Sequence, residues 1–316
     1  MNPYTGKTFF EFFPLFFHRL FLLCSGSLRF SELASDEIQV FTLGLIGIAA
    51  SLVGTLLVLK KMTMLANSLS HTILLGIAIA YLFLFTTASR GIPINFSILL
   101  IASLVTGLLT TVLTQLLHQF FRLQEDASIG IVFTSLFALG IVIVTLFTRN
   151  AHIGLEVVMG NADALHLDDC KLAFAVVLCN FAVVTLFFKE WKLISFDAEL
   201  ATSLGFRPSL FNYLLMLVAS ATAISAFRAV GVLLFLAFLV GLPLTARLLS
   251  HNLRPMLFWA SGIGLGCALI GVALSRHFLT AHQMPLSTAG LVVSLIGISF
   301  LIALLPRHLT ISKKMG

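Results

Sequence analysis

Thr63, Asn67, Ser70 and His71 fall at offsets of four, three and one within KKMTMLANSLSHTILLGIAIA, so a helix there lines them along one stripe. Asn67 and His71 stand one turn apart and can touch the same ligand. An imidazole nitrogen with an amide oxygen suits a borderline divalent cation such as Zn²⁺, Fe²⁺ or Mn²⁺. Small polar residues of the same types also glue helix–helix seams inside membranes. Spacing alone leaves both readings open.

Two polar segments further along carry chemistry of other kinds. RNAHIGLEVVMGNADALHLDD (149–169) offers His152 and Glu156 at helical spacing, then Asp163, His166, Asp168 and Asp169. Such a cluster can draw cations toward the mouth of a path, although a solvated acidic loop is the simpler account. KEWKLISFDAELATSLGFR (189–207) has helix grammar: Ser195 as cap, Asp197 and Glu199 in the first turn, and Gly205 at the left-handed end. That pattern predicts a helix over about 195–204. Phe196, Leu200 and Leu204 recur every four residues and share a face. The rod suits either an interfacial helix lying on lipid or a peg that docks into a cytoplasmic motor.

The elements that position these groups must sit in lipid. Of the 316 residues, 59% are hydrophobic and only 10% charged, and mean hydropathy is +1.07, where soluble domains carry about 25% charged residues. A helix crossing the hydrocarbon needs about 20 apolar residues. Nine such stretches lie near 41–59, 63–86, 94–117, 128–148, 170–188, 209–226, 229–249, 256–276 and 286–305. The tight joints 63–86/94–117 and 209–226/229–249 allow one member of each pair to be broken or re-entrant. These stretches define an all-α, polytopic membrane protein with one transmembrane domain over 41–305, an N-terminal extension over 1–40 and a cytoplasmic tail over 306–316.

Charge sets the orientation, because cytoplasmic loops hold the excess of Lys and Arg. With the start of the first stretch outside, eleven of the sixteen basic residues beyond the extension, from Lys60 and Lys61 to Lys314, lie inside and five lie outside. Basic residues this dispersed make no nucleic-acid surface. The extension, with TFFEFFPLFFHRLFLLC at 8–24, is interrupted by Glu11, Pro14 and the His18–Arg19 pair, which suits an interfacial helix or an additional span better than a signal peptide. Cys24, Cys170, Cys179 and Cys267 form no CxxC pair and read as packing residues. The chain carries no motor: its Gly6-Lys7-Thr8 has Met1 where a phosphate loop needs another glycine, and no HExxH occurs. Any ATP hydrolysis has to come from a separate subunit, and the chain reads as a membrane protein with no enzyme activity and no permanently bound cofactor.

The segment that opens this section resembles the signature of permeases of bacterial manganese/zinc/iron ABC importers, in which a basic pair precedes a D-A-L-S-H-x-x-L-x-G-type run. EDASIGIVFTSLFALGIVIVT, GLEVVMGNADAL and FDAELATSLGFRPSLFNYLLMLVASATAISAFRAVGVLLFLAFLVGLPLTARLL fit the same family in the same order, over roughly 41–305. The resemblance implies a type II ABC importer permease-like fold of about 8–10 transmembrane helices in the bacterial inner membrane. It implies a second permease chain around a central path, identical or paralogous, with ATPase subunits below and a periplasmic metal-binding protein above. Mn²⁺, Zn²⁺ or Fe²⁺ would be the cargo. The path residues carry over to Asn67 and His71, and the ATPase-facing element to Phe196, Asp197, Glu199, Ala201 and Gly205. Two positions depart from the pattern. The family aspartate is Asn67, and the P-A-x-A-type run appears as Leu242-Pro243-Leu244-Thr245-Ala246.

A secondary transporter driven by an ion gradient is the competing reading, but no span holds the buried Asp, Glu or Lys expected of a proton relay unless Glu11 or Arg228 serves. The derived topology places 149–169 outside. Cysteine at Ala151 or Asn161, in a background lacking the native cysteines, is expected to react with a membrane-impermeant thiol reagent added to intact cells. Labelling only after the cytoplasm is opened would reverse the topology.

Overall fold

A computed structural model describes residues 3–64, 67–68, 71–72, 75–76, 78–80, 82, 96–148 and 160–315. The order is α1 (Phe9–Cys24), a 3-10 turn (Phe30–Glu32), α2 (Ser35–Leu59), helical residues between 63 and 82, α3 (Phe96–Phe120) and α4 (Glu125–Thr148). There follow α5 (Leu167–Leu186), α6 (Phe188–Phe196), α7 (Ala198–Ser203), α8 (Pro208–Leu236), a π-helical turn (Ala237–Gly241), α9 (Leu242–Leu249), α10 (Leu253–His282) and α11 (Thr288–Met315). No strand occurs among the described residues. Seven segments there are long and apolar enough to span a membrane, and Leu104–Phe120 is a shorter apolar helix. The fold is all-α and polytopic, as the apolar stretches require. α1 is 16 residues long, with Pro14 inside it, and packs beside α10. At about 24 Å it is shorter than the hydrocarbon is thick.

α2 is the hub. Of its 25 residues, 20 are buried, and α5, α8, α10 and the π turn surround it. Lipid supplies no hydrophobic drive between helices, so close approach of backbones must do the work. Gly54 shows how close: a Cβ there would stand 1.9 Å from the carbonyl oxygen of Leu239 in the π turn. The second close approach lies at the opposite end. α8 is interrupted at Gly231 (φ 75°, ψ 172°), where the backbone leaves helical geometry inside the apolar run. Gly160 (φ 63°) packs on this break, and a Cβ on it would meet Gly231 N at 2.1 Å. Both glycines use positive φ, and Gly160 has no room for a side chain.

Side-chain bonds between distant positions sort the helix ends into two groups. At one end Arg276 (α10) pairs with Asp36 (α2), Phe9 N donates to His277 Nδ1 at 3.3 Å, and Thr288 N donates to Asp163 Oδ1 at 3.2 Å. At the other end Lys60 Nζ donates to Asn212 Oδ1. The helices therefore alternate in direction, and the Lys60 end is the one rich in Lys and Arg.

Asn180 holds the middle of the bundle. Its Nδ2 donates to Ala49 O at 3.1 Å and to Thr222 Oγ1 at 2.8 Å, joining α5 to α2 and α8. Such bonds average about 0.6 kcal/mol each in membrane proteins. The tighter constraint is steric. Gly54→Ala is expected to destabilise by on the order of 3 kcal/mol, since the clash is with backbone and no rotamer relieves it. Gly262→Ala, where a Cβ meets nothing within 4 Å, is expected to be neutral or slightly stabilising. Thermal unfolding of both variants in detergent checks the contrast.

Candidate functional site

The polar stripe lies on the helical residues between 63 and 82. Thr63, Asn67 and His71 are half-buried, Ser68 is buried, and Ser70 is outside the described residues. The His71 ring lies against two rings of α4, with centroids 5.2 Å from Phe133 and 5.5 Å from Phe137. Thr110 Oγ1 on α3 donates to Thr72 Oγ1 at 3.0 Å, and Leu75, Val132 and Leu136 form a small apolar cluster beside it. Gly140 admits the Leu75 backbone, whose nitrogen would lie 3.1 Å from a Cβ there. The stripe is thus supported by α3 and α4, outside the α2-centred core. No group of three or more His, Cys, Asp or Glu able to hold a metal ion occurs among the described residues.

In the acidic outer segment, Asp163 and Asp169 have structural partners. His152 and Glu156 lie outside the described residues. Asp163 accepts from Thr288 N and Oγ1 and ties the loop to the start of α11. His166 is exposed and its N–H donates to Asp169 Oδ2 at 3.0 Å, capping α5. The same device recurs: Glu11 accepts from Thr8 N at 3.0 Å, and Glu37 from Ala34 N at 2.8 Å. An acidic side chain three residues into a helix satisfies an N–H that has no helical partner and suits the positive end of the dipole.

Glu37 gathers more than its cap. Tyr4 OH donates to Oε1 at 2.7 Å, and Arg19 pairs with the same carboxylate. Burial and the Glu37 carboxylate push the Tyr4 hydroxyl up from its ordinary range. Among the described residues the buried carboxylates are Asp36, Glu37 and Asp169, all in first turns at the outer end. None stands mid-span, and Glu11 is exposed. A proton relay through the described helices finds no carboxylate to use.

At the inner end the predicted rod is present but starts later. Ser195 belongs to the last turn of α6, and Asp197 is the cap: its backbone is extended (φ −148°, ψ 96°) and its Oδ1 accepts from Leu200 N at 2.9 Å. An Asp side chain competes with the backbone for helical donors, so one helix becomes two. The second, α7, has only six residues. Gly205 takes φ 88°, the left-handed end expected of it. Trp191, Ile194 and Ala201 are buried and anchor the pair, Glu199 is exposed, and Phe196, Leu200 and Leu204 remain 59%, 47% and 61% exposed.

The sequence reading missed Asn180, Gln39, whose Nε2 donates to Ala162 O at 3.1 Å, and the Lys60–Asn212 contact. A lone Asn inside the 170–188 stretch was the available signal, since polar residues in a span need partners. Burial pushes the Lys60 amine down to about 8.

Residues 38–307 match the family described as ABC 3 transport family. The chain is 41% identical to a probable metal transport system membrane protein of Chlamydia muridarum, over 99% of this chain and 98% of that one. It is 35% identical to the manganese transport system membrane protein MntD of Bacillus subtilis, over 86% and 92%. Among solved structures, PsaBC from Streptococcus pneumoniae in complex with Fab matches with a TM-score of 0.69 at 25% identity, over 84% of this chain and 89% of that one. The apolar helices packed around α2 and these matches across nearly the whole length agree: the chain belongs to the ABC 3 transport family, as a multi-pass membrane subunit of an ABC transporter.

Proposed function

We propose that this chain is the permease of an ATP-driven importer for a divalent transition metal, manganese, zinc or iron, in a bacterial inner membrane. Two cytoplasmic ATPase subunits, a periplasmic metal-binding protein and a second permease chain complete it. The observation that carries the coupling is the apolar face Phe196–Leu200–Leu204, held out at the basic end of the molecule on a rod too short to be a span. Apolar side chains clustered outside the spans mark a contact surface, and buried Trp191 and Ile194 give the rod a rigid seat for transmitting motion. The cargo reading is supported by the relatives' names and by His71, whose half-buried imidazole lies among aromatic rings on a segment outside the packed core.

Asn67 shapes the assembly. A divalent ion stripped of water in a medium of low dielectric needs negative charge nearby, because an unpaired charge there costs tens of kcal/mol in the idealised limit. Asn67 and His71 supply none. The permease therefore pairs with a paralogue that has an aspartate at the matching position, giving one carboxylate per path.

Leu200→Asp or Leu204→Asp is expected to lower uptake about tenfold or more while the protein still inserts, in line with the loss of a central apolar contact. Full transport and full substrate-stimulated ATP hydrolysis in these variants would sink the docking role. In the purified importer two different permease chains are expected, and His71→Ala should slow transport about tenfold or more, as for a lost metal contact. A single kind of permease chain in an active complex would rule out the mixed pair, and unimpaired transport by His71→Ala would remove that residue from the path.

A further inference from the structure

Lys189, Glu190 and Arg254 border the inner end of an apolar groove of about 780 Å³ between α2, α5, α6 and α10. Its walls include Ile48, Leu52, Phe181, Val184, Leu257 and Phe258. From Arg254 to Ser261, also a lining residue, α10 rises about 10 Å. The groove thus begins where basic residues meet the cytoplasmic interface and ends among hydrocarbon.

Most polar atoms on the walls need nothing further. Thr185 Oγ1 donates to Phe181 O at 2.7 Å, and the hydroxyls of Ser51 and Ser261 are hydrogen-bonded at 3.1 Å. The Arg254 guanidinium lies 5.4 Å from the centroid of the Phe188 ring, which fixes it at the groove mouth. Glu190 differs, because its Oε2 is buried with no hydrogen-bond partner among the described residues. With Oε2 shut off from water and unpaired, the carboxylate charge is poorly solvated, and a cationic N–H donor reaching its other oxygen from the groove would offset that cost.

We propose that the groove binds a phospholipid of the cytoplasmic leaflet with a primary ammonium headgroup, a phosphatidylethanolamine. Its phosphate lies between Lys189 and Arg254, its ammonium donates to Glu190, and one acyl chain follows the apolar walls. The charge pattern selects among headgroups. A phosphoglycerol headgroup has no cation for Glu190, and a choline ammonium has no N–H to donate, so each leaves the carboxylate unpaired. Because Lys189 and Glu190 stand in the first turn of α6, the bound headgroup braces the α6–α7 rod against α10. This site is separate from the cargo path and does not depend on the metal reading.

Native mass spectrometry of the full chain, released from micelles with equal amounts of phosphatidylethanolamine, phosphatidylglycerol and phosphatidylcholine of the same acyl chains, tests the proposal. The ethanolamine lipid is expected to be retained about tenfold over each of the others, the worth of one charge-assisted hydrogen bond. Glu190→Gln should bring that ratio close to one, and Arg254→Gln should lower retention of the ethanolamine and glycerol lipids alike. Equal retention of all three lipids by the unmodified chain, or an ethanolamine preference that survives Glu190→Gln, overturns the proposal. Melting temperature in lipid-free detergent controls for folding, and should Glu190→Gln not fold, the ethanolamine-to-choline ratio of the unmodified chain decides alone.

Discussion

The contact of the Leu239 carbonyl with the Gly54 backbone sets the geometry of the whole bundle. In water, helices of this composition would be driven together by their apolar surface. In lipid that drive is absent, and what remains is dispersion between closely fitted surfaces and the internal pairing of polar groups. Gly54 lets the π turn lie directly on α2. With α8, α9 and α10 gathered around that contact, α2 is the most buried of the spans among the described residues. Its window is 83% buried, against 22% for the windows in α4, α5 and α11.

The two ends of the bundle are finished differently. Outside, acidic residues cap helix starts and pair with Arg19 and Arg276, while Asp163 stitches the loop to α11. That end satisfies its charges internally, and Gly160 against Gly231 closes the loop onto the break in α8. Inside, the α6–α7 pair is anchored by Trp191 and presents Phe196, Leu200 and Leu204 outward.

The polar stripe stands apart from both. It belongs to the segment packed on α3 and α4, away from the hub, where Leu75 rests on Gly140 and Thr72 accepts from Thr110. Asn67 in that stripe is a neutral amide where the motif it resembles has an acid.

The apolar run lengths and the distribution of Lys and Arg determined the helical class, the approximate spans and the orientation, because lipid penalises unpaired backbone and charge so strongly that these show in any window of about 20 residues. Helix periodicity predicts one face for Phe196, Leu200 and Leu204, whereas the break at Asp197 leaves Phe196 on α6 and Leu200 on α7, with all three exposed. Other features depended on partners far away in sequence. That Asp163 is a tether for Thr288 and that Asn180 bridges three helices follow from which groups meet in space. Local sequence reports a residue's chemistry and its period. Only the tertiary structure decided that Asp36 pairs with Arg276 and why Gly54 has no room for a methyl group, since each is settled by an atom from another element.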